Sequence, residues 1–133
     1  MTSLYLWIAL GGALGSVARF ALAGWITREW GGGFPWGTVL VNVLGCFVIG
    51  FFASLTAPAG RWPVGLAGRQ FFMTGVLGGF TTFSSFSLQT LELAQEGEWL
   101  RAGGNVAGSL GLCLLAVWLG HVAAVACNPV KGV

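Results

Sequence analysis

Six of the ten charged residues in this 133-residue chain fall in three short joints, TREWGGGFP, TAPAGRWP and QEGEWLRA, and the stretches between and outside them are long and apolar. A hydrocarbon core of about 30 Å needs about 20 helical residues per crossing. Four stretches satisfy that length, at Leu4 to Ile26, Trp36 to Thr56, Pro63 to Ala94 and Gly103 to Ala126. The joints also hold three of the four prolines, together with Trp30, Trp62 and Trp99, and Trp36 follows directly. Tryptophans at such ends suit the membrane–water interface. The fold expected is therefore an all-α membrane protein with four transmembrane helices in one domain.

Composition agrees, since 56% of residues are hydrophobic and 8% charged, against about a quarter charged in soluble domains. The 23 glycines then read as close helix packing rather than loops. A net charge of +2 forms no basic patch for nucleic acid. The amino terminus, MTSLYLWIALGG, carries no basic stretch, which argues against a cleaved signal peptide. Cys46, Cys113 and Cys127 lack the paired spacing of zinc or CxxC redox sites and read as buried, inert thiols. No nucleophile with an activating base and no phosphate-binding loop is present, so the chain is not expected to be an enzyme.

Excess Lys and Arg ordinarily mark the cytoplasmic side. Four crossings put Arg61, Arg69 and Lys131 toward the face of the termini, and Arg19, Arg28 and Arg101 toward the other. Three against three gives no bias, so both orientations can insert. Two oppositely oriented copies can then pair about a two-fold axis in the membrane plane. One dominant charge, or a buried Arg19 that should not be counted, would remove that reading.

The third stretch is too long and too polar. Its 32 residues would reach about 48 Å as one helix. It contains GGFTTFSSFS, Gly78 to Ser87, where glycines tolerate unusual dihedrals and hydroxyls can satisfy stray backbone groups. Two readings stay open: a continuous helix whose glycines permit close crossing, or a helix broken near its middle. A break survives at membrane depth only inside protein or beside a wet cavity. Its freed carbonyls can ligate a hard cation, and its freed amides attract anions.

Phe80, Phe83 and Phe86 recur every third residue, a stripe about 120° wide on one helix. The hydroxyls of Thr81, Thr82, Ser84, Ser85 and Ser87 between them weaken a lipid-facing role, and a ring edge is positive. Thr38 and Asn42 share a face of the second span, and Asn105 and Ser109 share a face of the fourth. They are either interhelical glue or a donor-rich track. Arg19 stands inside the first span, where an ionisable residue is functional by default unless it snorkels to the interface. Glu92 and His121 fall near span ends and read as interfacial.

The motifs GGALGSVARF, GTVLVNVLGCFVIG and GVLGGFTTFSSFS, in four spans, closely resemble the small dual-topology fluoride channels called Fluc or CrcB. That resemblance runs along nearly the whole chain. It implies an antiparallel homodimer in the inner membrane of a prokaryote, surrounded by lipid, with two pores that passively export cytoplasmic fluoride. It implies Asn42 as pore donor with Thr38 one turn before it, Phe83 and Phe86 as the facing rings, and Phe80 as packing. Ser87 and Ser109 belong to the polar track it implies, and Arg19 and Gln89 to the vestibule. A structural sodium ion is implied on main-chain carbonyls of Gly78 and Thr81, two from each subunit. Two residues depart from the family's usual pattern: Asn105 stands where a tyrosine is common, and Gln89 where a glutamate is common. A proton-coupled multidrug exporter also has four spans, but it needs a carboxylate in the first, and this span has none. A purely structural membrane subunit is the third reading.

Overall fold

The structure, a computed structural model, describes residues 2–128, so Lys131 of the charge count lies outside the described residues. Among these residues the chain is helix and loop only. The helices are α1 (Thr2–Trp30), α2 (Trp36–Leu55), a third span in two pieces, and a long last helix (Trp99–Cys127). The first piece, α3, covers residues 66–80 as an α-helical turn Leu66–Arg69, a π-helical run Gln70–Leu77 and a further turn Gly78–Phe80. The second piece is α4 (Phe83–Gln95), and the last helix is α5. Four spans are long and apolar enough to cross a membrane, the third running Leu66–Gln95. Each of the four stretches singled out in the sequence lies on one of these helical spans to within three residues.

Alternate spans run parallel and pack as pairs. Between α1 and α3 the contact is made by glycine on both sides. A Cβ on Gly11 would stand 2.5 Å from the Phe71 carbonyl oxygen, one on Gly15 would strike the Val76 carbonyl, and one on Gly79 would stand 2.5 Å from the Gly12 carbonyl. Gly11/Gly15 and Gly75/Gly79 are thus two interlocked four-residue glycine steps, each giving the other backbone room. Lipid tails are as apolar as leucine, so close van der Waals packing rather than the hydrophobic effect holds such helices together.

The α2/α5 pair uses a second parallel register. Gly50 abuts the Val117 carbonyl and Gly120 abuts the Phe47 carbonyl. Ser54 Oγ lies 2.7 Å from His121 Nδ1, an offset of 67 residues, and the Arg61 amide donates to Asn128 Oδ1 at the same offset. The Arg61 guanidinium also donates to the Cys127 carbonyl at 3.0 Å, which ties the α2–α3 loop to the end of α5 on one face of the bundle. On the opposite face the α1–α2 loop approaches the α4–α5 turn. There Gly97 takes φ +79°. Its amide bonds the Ala94 carbonyl, and Glu98 N–H bonds that of Leu93, a paired closure of the helix end that favours glycine.

The third span is broken, as one of the two sequence readings required, and the place is specific. Gly78 and Gly79 remain helical. The chain turns extended at Thr81 (φ −85°, ψ 157°) and Thr82 (φ −152°, ψ 115°). Gly79 is held helical by its contact with Gly12, whereas Thr82 caps the next helix, its Oγ1 accepting from Ser85 N–H at 3.1 Å. Thr81 Oγ1 donates back to the Leu77 carbonyl at 2.9 Å. The break also overturns the single stripe expected of Phe80, Phe83 and Phe86. Phe80 ends α3 and only Phe83 and Phe86 share a helix, because a threefold spacing defines a face only on uninterrupted helix.

Candidate functional site

An unbroken α-helix would bond Thr82 N–H to the Gly78 carbonyl. Here Asn42 of α2 takes that place. Thr82 N–H donates to Asn42 Oδ1 at 2.7 Å, and Asn42 Nδ2 donates to the Thr82 carbonyl at 2.9 Å. The side-chain amide thus pairs with both backbone groups of one residue as a strand partner would. This satisfies two polar groups that would be costly to leave bare at bilayer depth and fixes the orientation of the amide. It leaves the Gly78 carbonyl without its helical donor. It also leaves Asn42 with its second amide hydrogen.

Thr82 is buried, and it divides two cavities. The first, about 330 Å³, is lined by Asn42, Gly78, Thr81, Phe83, Phe86 and Ser109, with Cys46, Met73 and Cys113 at its far wall. The ring centroids of Phe83 and Phe86 stand 5.1 Å apart at 50°. Their environments differ: Phe86 is 8% exposed and Phe83 is 72% exposed. The second cavity, about 460 Å³, is lined by Ser16, Arg19, Thr38, Ser85 and Gln89 among others. Gln89, Thr27 and Pro35 also line a third, of about 200 Å³, which reaches Glu92 and Glu96 at the bundle's end. A file of concave spaces therefore runs from the α1–α2 loop to the break, and past Thr82 to the rings.

Most of the residues singled out in the sequence meet along this file. Thr38 and Asn42 do share a helix face, but the break separates them, Thr38 going to the arginine-lined cavity and Asn42 to the ring-lined one. Arg19 is half-buried and lines the same cavity as Gln89. Gln89 Oε1 is buried with no hydrogen-bond partner among the described residues. Ser109 lines the ring cavity and donates to Asn105 Oδ1 at 3.3 Å, and Asn105 Nδ2 donates to Thr90 Oγ1 at 2.8 Å. Asn105 is 1% exposed, so it ties α5 to α4 from within the core. Ser87 is not brought in: it lies exposed on α4 and its hydroxyl bonds the Phe83 carbonyl at 2.9 Å.

Sequence reasoning gave Thr82 only a hydroxyl that could satisfy stray backbone groups near a break, whereas it caps α4, pairs with Asn42 through its own backbone and walls two cavities. The cysteines were also misjudged. Cys46 and Cys113 are half-buried on one cavity wall and Cys127 is exposed. The clue was available as a periodic one, for Thr38, Asn42 and Cys46 stand four apart along α2, as Asn105, Ser109 and Cys113 do along α5.

Compared with known proteins, the profile described as CrcB-like protein, Camphor Resistance (CrcB), matches residues 6–121. The chain is 71% identical over 130 residues to a protein of Opitutus terrae named fluoride-specific ion channel FluC, covering 98% of each chain. It is 62% identical over 128 residues to a protein of that name from Methylocella silvestris, covering 96% of this chain and 98% of the relative. A third, from Rhodospirillum rubrum and of the same name, is 58% identical over 124 residues, covering 93% and 96%.

Proposed function

We propose that this chain, which belongs to the CrcB-like family, is a fluoride-selective channel that lets the ion pass down its gradient, and is not an enzyme. The observation that carries the reading is the Asn42–Thr82 pair, which holds a helix break open at bilayer depth in the cavity that also contains the rings of Phe83 and Phe86. Fluoride is small and strongly hydrated, so a path for it must replace water by close donors. The guanidinium of Arg19 in the outer cavity raises the local anion concentration. Thr38 offers a hydroxyl there. Beyond the break, Asn42 offers its remaining amide hydrogen, and the ring edges of Phe83 and Phe86 offer positive partial charge. Ser109 supplies a further hydroxyl from the cavity wall.

Two copies inserted in opposite orientations make up the working unit in this reading, with two pores, in the inner membrane of a prokaryote. Support comes from the near-even division of basic residues between the two faces, three against three with the half-buried Arg19 counted and three against two without it, and from Phe83, which stands 72% exposed beside an open cavity. A second copy would close that side. The carbonyls of Gly78, freed from its helical donor, and of Thr81, in extended backbone, are hard oxygen donors suited to a sodium ion. One chain supplies two, so the pair would supply four. When bound, the ion would add fixed positive potential near the anion path.

Purified protein reconstituted in potassium fluoride-loaded liposomes is expected to release fluoride at channel rates on addition of valinomycin, with no proton gradient. A fluoride electrode reads the release, and chloride-loaded vesicles serve as comparison. Release no faster than from protein-free vesicles would refute the channel. Replacing all sodium by potassium, on the sodium proposal, lowers the efflux rate at least about tenfold or shifts the dimer toward monomer on size exclusion. Full rate and an intact dimer without sodium would remove Gly78 and Thr81 as its ligands.

A further inference from the structure

The 67-residue offset that joins Ser54 to His121 and Gly50 to Val117 continues down the parallel α2/α5 pair. Two turns before Ser54 stands Cys46, and two turns before His121 stands Cys113, at the same offset. The next rung is Asn42 with Ser109. Both thiols are free and half-buried, and both line the ring cavity with the thioether of Met73, which comes from the π-helical run of α3. Three helices therefore present three sulfurs to one space of about 330 Å³. None is used by the proposed anion path.

We infer that Cys46 and Cys113, assisted by Met73, form a site for a soft divalent metal ion that favours linear dithiolate coordination, mercuric ion being the type. Thiolate and thioether ligands select soft ions. Among the described residues no group of three His, Cys, Asp or Glu could hold a borderline metal such as zinc. Charge decides between soft ions. Two thiolates around a divalent ion are neutral overall, and a neutral complex avoids the cost of a bare charge in an apolar setting. On binding, each thiol gives its proton to water, two sulfur–metal bonds form, and nothing is oxidised. The ion would then stand one turn from Asn42 and Ser109 and in the cavity of Phe83 and Phe86, so that filling it stops fluoride. That last step rests on the proposed channel function.

The test is a titration of purified protein in detergent with mercuric chloride, in a Cys127→Ala background that removes the exposed thiol. Glutathione is present in excess, and the readouts are thiolate-to-metal absorbance and maleimide labelling by intact mass. One ion per chain is expected, protecting both thiols together. Cys46→Ala or Cys113→Ala loses retention at least about 100-fold, because the second sulfur acts at an effective concentration far above that of the competitor. Met73→Leu weakens it by a smaller factor. Two ions per chain, or retention unchanged by either alanine, would overturn the site. In liposomes the same ion blocks efflux, a dithiol restores it, and the Cys46→Ser/Cys113→Ser protein is insensitive. Retention in detergent without any block overturns the obstruction of the path. Vesicles that release no fluoride before metal is added refute the channel reading, and the titration still judges the sulfur site.

Discussion

Replacing Asn42 with alanine is expected to reduce fluoride efflux at least about 100-fold while leaving a folded, monodisperse protein. The substitution removes the amide that pairs with Thr82, so the Thr82 N–H and carbonyl lose partners at 2.7 and 2.9 Å in a place that is poor in water. Each unsatisfied buried group costs about 1–3 kcal/mol. That is enough for the threonine segment to abandon its extended backbone and for the wall between the two cavities to shift. The donor proposed to meet the anion is lost at the same time. Asn42→Asp separates the two roles. Its carboxylate still accepts from Thr82 N–H, so the break keeps one of its two bonds, yet it places a negative charge on the anion path and should conduct no better than alanine. Efflux traced by fluoride electrode, normalised to protein recovered on size exclusion, reads both. Native rates in either variant would take Asn42 out of the path.

The four spans could be read from hydropathy because bilayer thickness fixes their length independently of tertiary detail. The broken third span was legible only as one of two readings: the length, hydroxyls and glycines of Leu66–Gln95 mark it as unusual for a lipid-spanning helix, but a continuous helix crossing closely on its glycines fitted them as well. The exact break was not legible, since the deciding partner lies 40 residues away in sequence. Local propensity favours unwinding at Gly78–Gly79, but contact with Gly12 keeps Gly79 helical. The amide of Asn42 instead compensates Thr82, a β-branched residue content in extended backbone. Phe83 and Phe86 share a helix because both fall after the break, while Phe80, which the resemblance set apart as packing, falls before it. The thiol pair was missed because spacing within a chain segment is the signal for metal sites, and here the spacing is between parallel helices, at an offset that only their packing sets.

Gly45 supplies the other large effect, because it decides how closely the break can approach α2. A Cβ there would strike Thr81 Cγ2 and stand 3.4 Å from Phe80 Cδ1, and Gly45 is buried three residues beyond Asn42. Gly45→Ala must therefore displace Thr81, the residue adjoining the Asn42–Thr82 pair, with a cost of about 1–3 kcal/mol for overpacking. We expect efflux to fall about tenfold or more, and any sodium dependence that runs through the Thr81 carbonyl to weaken. The obstacle is one methyl group, so its removal should cure the defect. Thr81→Ser deletes Cγ2 and retains the hydroxyl that bonds the Leu77 carbonyl. The Gly45→Ala/Thr81→Ser protein is thus expected to conduct within about threefold of the parent, a coupling that contacting residues show and distant ones do not. Gly65→Ala, where a Cβ meets nothing within 4 Å, is the control and leaves the rate unchanged. A double variant as impaired as Gly45→Ala alone would mean that the glycine serves something other than the seating of Thr81 against α2.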